Sequence, residues 1–305
     1  MRGSEGGFVR DSEIEYLGYQ EFGRRGFDPF GDGYSHDLEI RSSKFDDMWF
    51  AFYSRGAYNI IVDGNEYYNN IKYSLDPHSG THDMDITNNY LHDNRIGPIC
   101  SDRCWDILIE GNLIHDTTNA AIFFSRNMND SIARNNHVIN AGIGIAVSES
   151  PNNQIYSNII EGASFQGIRL VNPDIPDDGM NKANVVYNNT IFNSEDGSGA
   201  TRTQDNILEN NKFSNIESSE YRLSGSSSTT IRGHEFDNAV ISAGDGPTLG
   251  NFKEIVDSGT VQVTEGASDE DDDREDEDKG ESYNTDIESY RRTLNDRDDI
   301  TVNSS

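Results

Sequence analysis

Most apolar residues in this chain come in short runs of two to four, cut by Gly, Asn and Asp, and no run is long enough for a helix. One spacing recurs: apolar, two polar, Asn, any residue, apolar. It stands at Ile86-Thr87-Asn88-Asn89-Tyr90-Leu91, Ile109-Glu110-Gly111-Asn112-Leu113-Ile114 and Ala133-Arg134-Asn135-Asn136-His137-Val138. Further copies centre on Asn65, Asn158, Asn189 and Asn211, with weaker ones at Ser12, Ser43 and His234, and the steps from Asn65 to Asn158 are 24, 23, 24 and 22 residues. A period in this range belongs to leucine-rich repeats or to a parallel β-helix. Leucine does not recur at the spacing of the first, and Asn at a fixed turn position suits the second, since it tolerates left-handed backbone and can bond its stacked neighbours. The pattern predicts an all-β, right-handed parallel β-helix of about ten coils, a rod on the order of 48 Å long at ~4.8 Å per coil.

The solenoid is expected over residues 1–265, with a groove around 50–172 and an acidic, disordered tail over 266–305. Two longer intervals read as loops: one carries Pro173-Asp174-Ile175-Pro176-Asp177-Asp178-Gly179, the other Gly31-Asp32-Gly33. Thr260-Val261-Gln262-Val263 reads as a last strand over the open end.

Laying the coils over one another, strand alternation puts Phe52, Leu75, Pro98, Ile122, Ile145 and Ile168 in one interior column. The outward columns are Tyr53, Asp76, Ile99, Phe123, Ala146, Arg169 and Arg55, His78, Ser101, Ser125, Ser148. His78 thus has Asp76 on its own strand and Arg55 one coil before, while Asp102, Arg103, Arg126 and Glu149 continue the edge. Alternation turns Tyr73 inward. A carboxylate, an imidazole and several guanidiniums on one ridge suit an anionic, extended ligand. Pro77 inside a stacked strand removes a ladder donor, which marks this coil as constrained by more than packing.

Composition narrows the partners. Lys+Arg 24 against Asp+Glu 54 gives a net charge of −30, which argues against nucleic acid. Only six basic residues are lysines and the acids are spread over the body, a balance that suggests adaptation to concentrated salt. A hydrophobic content of 33% is low for a compact two-layer core and fits a thin solenoid, expected as a monomer. No apolar run spans a membrane and no secretory signal is visible, while repeat-like sequence from Phe8 onward points to a natural start further upstream. Cys100 and Cys104 cannot make a Cys-only zinc site; a disulfide and two buried thiols are both open readings. No cofactor is implied. Asp174, Asp177 and Asp178 could hold Ca²⁺ but lack the Asp-x-Asp-x-Asp-Gly spacing, so solvated acid is the expectation.

Tyr73-Ser74-Leu75-Asp76-Pro77-His78 resembles the Tyr-Gly-[Phe/Ile]-Asp-Pro-His signature of the mannuronan C5-epimerases, and the resemblance extends over roughly residues 40–172. It implies conversion of β-D-mannuronate to α-L-guluronate within a polyuronate such as alginate, outside the cell or at its surface. The motif residues fall on Tyr73, Asp76 and His78, and the arginine that pairs with the substrate carboxylate falls on Arg103 if one residue of slippage is allowed. Ser74 and Ser79 depart from the pattern, which has Gly and often an acidic residue there. A second His usual in the family is matched by Ile96 or Ala120.

Proton removal beside a carboxylate needs fixed positive charge, for which Arg103 is the first candidate and Arg55 and Arg126 the next. His78 suits the base, with Asp76 orienting it, and Tyr73 the opposite face. Tyr53, Asp102, Glu149 and Arg169 are expected to contact substrate. Loss of the 4-O substituent after the same first step would make the protein a polyuronate lyase. A noncatalytic polysaccharide binder and a structural solenoid are the readings from other classes.

Overall fold

The computed structural model describes residues 5–18, 26–28, 36–172, 181–224, 226, 229–233, 240–243, 262–265 and 300–302. Its strands wind as a right-handed parallel β-helix with three strand faces. The first ladder holds ten strands, from Glu5–Arg10 through Tyr58–Asp63, His82–Thr87 and Trp105–Glu110 to Thr230–Arg232. The second passes through Lys44–Asp46, Glu66–Tyr68 and Tyr90–His92. The third carries Tyr53–Arg55, Asp76–His78 and Ile99–Ser101, then the later parts of Leu113–Ser125 and His137–Ser148, then Gln166–Val171. Coils complete on all three faces open at His36, Tyr58, His82, Trp105, Ile132, Gln154, Val185 and Ile207, eight against the ten or so expected, with partial coils at both ends.

Gln262–Glu265 extends the third ladder in parallel beyond Val240–Ala243, at the place read as a last strand. Within the stretch expected to be disordered, Ile300–Val302 pairs antiparallel with it. The expected loops around Gly31-Asp32-Gly33 and Pro173 to Gly179, with Asp174, Asp177 and Asp178, lie outside the described residues, as does the tail from 266 to 299.

In-register stacking repeats each side chain's environment from coil to coil. Phe52, Leu75, Ile122, Ile145 and Ile168 form the expected interior column, all fully buried. A second column follows two residues on, through Ser54, Pro77, Cys100, Phe124, Val147 and Leu170. At the corner before the third face, Ser74 and Leu75 are both fully buried although adjacent, because the chain bends there and alternation is lost. The corner stays small down the rod. A Cβ added to Gly97 would sit 1.9 Å from the Ala121 carbonyl oxygen, and one on Gly144 would run into the Ile160 side chain.

The Asn column is an internal amide ladder. Asn112 Oδ1 accepts the Asn89 backbone N–H at 2.9 Å and the Asn89 amide at 3.0 Å, while its own amide donates to the Ile86 carbonyl at 2.9 Å and to Asn136 Oδ1 at 3.0 Å. The same contacts recur at Asn65, Asn89, Asn136, Asn158 and Asn189, and Ser43 heads the column by donating its N–H to Asn65 Oδ1. These side chains are almost wholly buried, so each donor and acceptor must be matched inside the rod. Asn112→Ala leaves the Asn89 N–H and the Ile86 carbonyl without those partners. It is expected to cost about 2–4 kcal/mol, read as a lower denaturation midpoint.

Candidate functional site

His78 ends the strand Asp76–His78 on the outer side of the third face. Arg55 and Tyr53 precede it in register, paired with His78 and Asp76, and Ser101 pairs with His78 from the coil after. The chain then turns, and the turn residues stack as the strands do. Ser79, Asp102, Arg126 and Glu149 each lie one residue beyond that row, and all four hold left-handed backbone with φ between 43° and 61°. Arg103 is left-handed as well, at 62°. Single turn residues in this conformation are ordinary for Asp and Asn but uncommon for Arg and Glu, so the edge is set by the stacking of turns rather than by local preference.

Strict register therefore gives Asp102, not Arg103, as the residue beside Ser79, and no slippage occurs. Arg103 still reaches the cluster, because its guanidinium lies 3.2 Å from Asp102 Oδ1 while remaining largely exposed. The Ser79 hydroxyl donates to Asp102 Oδ2 at 2.7 Å and lies 2.5 Å from His78 Nδ1. Direct approach of His78 Nδ1 to Asp102 is 3.9 Å. Burial would raise the Asp102 carboxyl, but the Ser79 hydroxyl, the Arg103 guanidinium and the His78 ring outweigh it and hold the group below the usual carboxylate range.

Two expectations are corrected. Asp76 is 3% exposed and does not share the surface with His78. It lies in a column between Tyr53 and Ile99, themselves buried, while the Asp102 carboxylate reaches toward the imidazole through Ser79. Tyr73 is not turned into the core. It is partly exposed, its ring meets Phe50 edge-on at 5.0 Å, and Lys72 Nζ lies 5.5 Å over it. The bend that buries both Ser74 and Leu75 releases Tyr73 to the outer side, and the Ser74 hydroxyl, in a place too small for most side chains, donates to the Ile96 carbonyl at 3.1 Å.

The structure brings His78, Ser79, Asp102 and Arg103 together, with Arg55 exposed beside them in register. Rings link this cluster to Tyr73: His78 lies 5.7 Å from Tyr53, Tyr53 6.1 Å from Phe50, and Phe50 meets Tyr73. Arg126, exposed, and Glu149, buried, are two and three coils from His78. Arg169 is four coils away, about 19 Å at ~4.8 Å per coil, with its guanidinium 5.5 Å over Phe165. Between them the outer face is apolar, through Ala120, Ile143, Ala146, Phe165 and Phe123. Ser79, Lys72 and Phe50 were missed as site residues. None carries a pattern signal, though Ser79 and Lys72 adjoin the motif.

Cys100 and Cys104 are free thiols buried beneath this coil, and Cys104 donates its S–H to the Pro77 carbonyl at 3.4 Å. Burial, with the nearby Asp76 carboxylate adding to it, pushes both thiols up. No group of metal-ligating side chains occurs among the described residues, and no helix among them is long and apolar enough to cross a membrane.

A rod of stacked turns with a charged edge beside one histidine has the fold of a right-handed parallel β-helix, and the family model described as right handed beta helix region matches residues 31–174. Within that class the chain is similar to the mannuronan C5-epimerases. It is 31% identical to the mannuronan C5-epimerase of Pseudomonas putida over 136 residues, which is 44% of this chain and 26% of that protein. Against the mannuronan C5-epimerase of Pseudomonas syringae pv. tomato it is 33% identical over 122 residues, 39% of this chain and 23% of that one. The chain thus spans about a quarter of the curated relatives it matches. A crystal structure of a mutant of the periplasmic alginate epimerase AlgG superposes with a TM-score of 0.63 at 19% identity, covering 77% of this chain and 60% of that one, a likeness of fold.

The folded protein is expected to give no prompt reaction with a thiol reagent at neutral pH, since both thiols are buried and held protonated. Two equivalents should react once it is unfolded in denaturant.

Proposed function

We propose that this chain acts on a polyuronate as a mannuronan C5-epimerase, abstracting the C5 proton of β-D-mannuronate and returning a proton to the other face. The supporting observation is a cluster in which an accessible imidazole, His78, lies beside a carboxylate that carries an exposed guanidinium, Arg103. The sequence similarity to mannuronan C5-epimerases over the central coils supports the substrate class. The periplasmic relative of known structure supports a location outside the cytoplasm.

The chemistry follows from charge. A uronate's own carboxylate opposes carbanion formation at C5 until a cation neutralises it, and Arg103, fixed at the turn and open to solvent, fills that role, with Arg55 and Arg126 beside it on the edge. His78 takes the proton. Of the two site tyrosines, Tyr53 is buried and Tyr73 is not, so Tyr73 is the phenol a sugar can meet. The buried Phe50 and Tyr53 rings separate Tyr73 from His78, so a sugar set between the two has one on each side, which suits proton transfer to opposite faces. Glu149 and Arg169 are too many coils away to touch the same sugar, and any contact they make is to other units of the chain.

Incubation with polymannuronate in D₂O is expected to place deuterium at C5 and raise the guluronate content without cleaving the chain. Unsaturated uronate, seen by its ultraviolet absorbance, would instead assign the lyase reaction. His78→Ala is expected to lower turnover by about 10² or more, and Tyr73→Phe to abolish epimerisation, both with the β-sheet circular dichroism retained. A fully active His78→Ala chain would overturn the assignment.

A protein of net charge −30 repels a polyanion at low ionic strength, and screening at ~1 M salt shortens that repulsion to ~3 Å. Activity is therefore expected to rise as salt is added from a dilute buffer. A steady fall from low salt would contradict this.

A further inference from the structure

We propose that Ser79 is a positioning residue that relays the Asp102 carboxylate to the His78 ring, placing the ring hydrogen on Nδ1 and leaving Nε2 as the atom that takes a substrate proton. The role of Nε2 rests on the reading of His78 as a base; the relay itself rests on geometry alone.

The argument is one of hydrogen counting. An ionised carboxylate only accepts, and Asp102 is held in that form by its surroundings. The Ser79 hydroxyl has one hydrogen and gives it to Asp102 Oδ2 at 2.7 Å. Its oxygen can then only accept from His78 Nδ1, 2.5 Å away, so that nitrogen carries the hydrogen and the neutral ring keeps its lone pair on Nε2. At 3.9 Å the carboxylate cannot make this bond directly, so the hydroxyl is required.

The fold holds the three groups in place. Ser79 and Asp102 occupy successive left-handed turns at φ 43° and 61°, and the Gly80 N–H donates to the Asp102 carbonyl at 3.1 Å, tying one turn to the next. Thr81 closes the turn from the other side, with its hydroxyl donating to the His78 carbonyl at 2.9 Å. Groups facing His78 include the Tyr53 ring and Arg55 from the coil before, and Arg103, through Asp102, from the coil after, with the buried Asp76 two residues before it on its own strand. The arginines bear on the charge of the site, whereas the Ser79 hydroxyl, at hydrogen-bond distance from Nδ1, bears on which ring nitrogen is protonated.

The test is the tautomer of His78 in the full chain labelled with ¹⁵N-histidine, read by two-bond proton–nitrogen correlation above the pH at which the ring titrates. The His78 signals are identified by their loss in His78→Gln. The wild type is expected to show a protonated Nδ1 and a bare Nε2. Ser79→Ala should yield a mixture of tautomers. Asp102→Asn should favour hydrogen on Nε2, because an amide can donate to Ser79 and free the hydroxyl hydrogen for the ring. Joining Ser79→Asp with Asp102→Asn moves the carboxylate next to the ring and should restore the Nδ1–H form.

On polymannuronate the two single variants should lose on the order of tenfold or more in kcat with KM changed by no more than about twofold, and the double variant should recover most of the loss. A wild type protonated on Nε2, or a Ser79→Ala chain with the wild-type tautomer, overturns the relay whatever the activity. A tautomer that responds as expected in a chain that exchanges no deuterium at C5 upholds the relay and overturns the reaction assigned to His78.

Discussion

From Asn65 to Asn211 the coils of this rod are tied together by buried asparagines, each bonding the backbone of the coil before and the asparagine of the coil after, and the rest of the structure depends on that ladder. Asn112 accepts from the Asn89 N–H and amide and donates to the Ile86 carbonyl, all in the coil before, and it also donates to Asn136 Oδ1 in the coil after. A solenoid with a thin core has few apolar contacts per coil to resist slipping, and the 33% hydrophobic content leaves it little to spare. Amide bonds inside the rod supply the missing specificity, because a coil out of step would leave several buried polar groups unmatched at once. The register of the third face, and hence the spacing between Arg55, His78, Asp102 and Arg126, is inherited from this ladder.

The same geometry explains why polar chemistry collects at one edge. On the third face the outward columns beyond His78 are filled by Ile99, which is buried, and by Ala120, Phe123, Ile143 and Ala146, which pack together with Phe165. A charged sugar finds little there. The turns that follow are left-handed, short and open, so they carry Asp102, Arg103 and Arg126 outward without disturbing the packed columns. Opposite charges lie together on that edge, and Arg103 offsets the local field of a protein that otherwise repels anions.

Most of the fold was legible in the sequence because a parallel stack repeats each environment. The Asn spacing placed the coils, and the column through Phe52, Leu75, Ile122, Ile145 and Ile168 is buried as alternation requires. Alternation failed where the chain bends, at Ser74 and Leu75, and so turned Tyr73 the wrong way. It also set Asp76 beside His78 on the surface, since a column rule says which residues share a side but not how deeply their neighbours bury them. Ser79 read only as a departure from a family pattern. Its contact with Asp102 joins adjacent turns, and a hydroxyl in a loop leaves no periodic trace.

The left-handed turns at Ser79, Asp102, Arg126 and Glu149 carry one further consequence. The first three set side chains along the rod like the teeth of a rack, one tooth every ~4.8 Å, while the Glu149 side chain is buried. A polymer lying along that rack is gripped at several places only if its own units advance in nearly the same step. One with a longer or shorter step would fall out of phase after a few units, so for a polymeric ligand such an edge would discriminate by length as well as by charge.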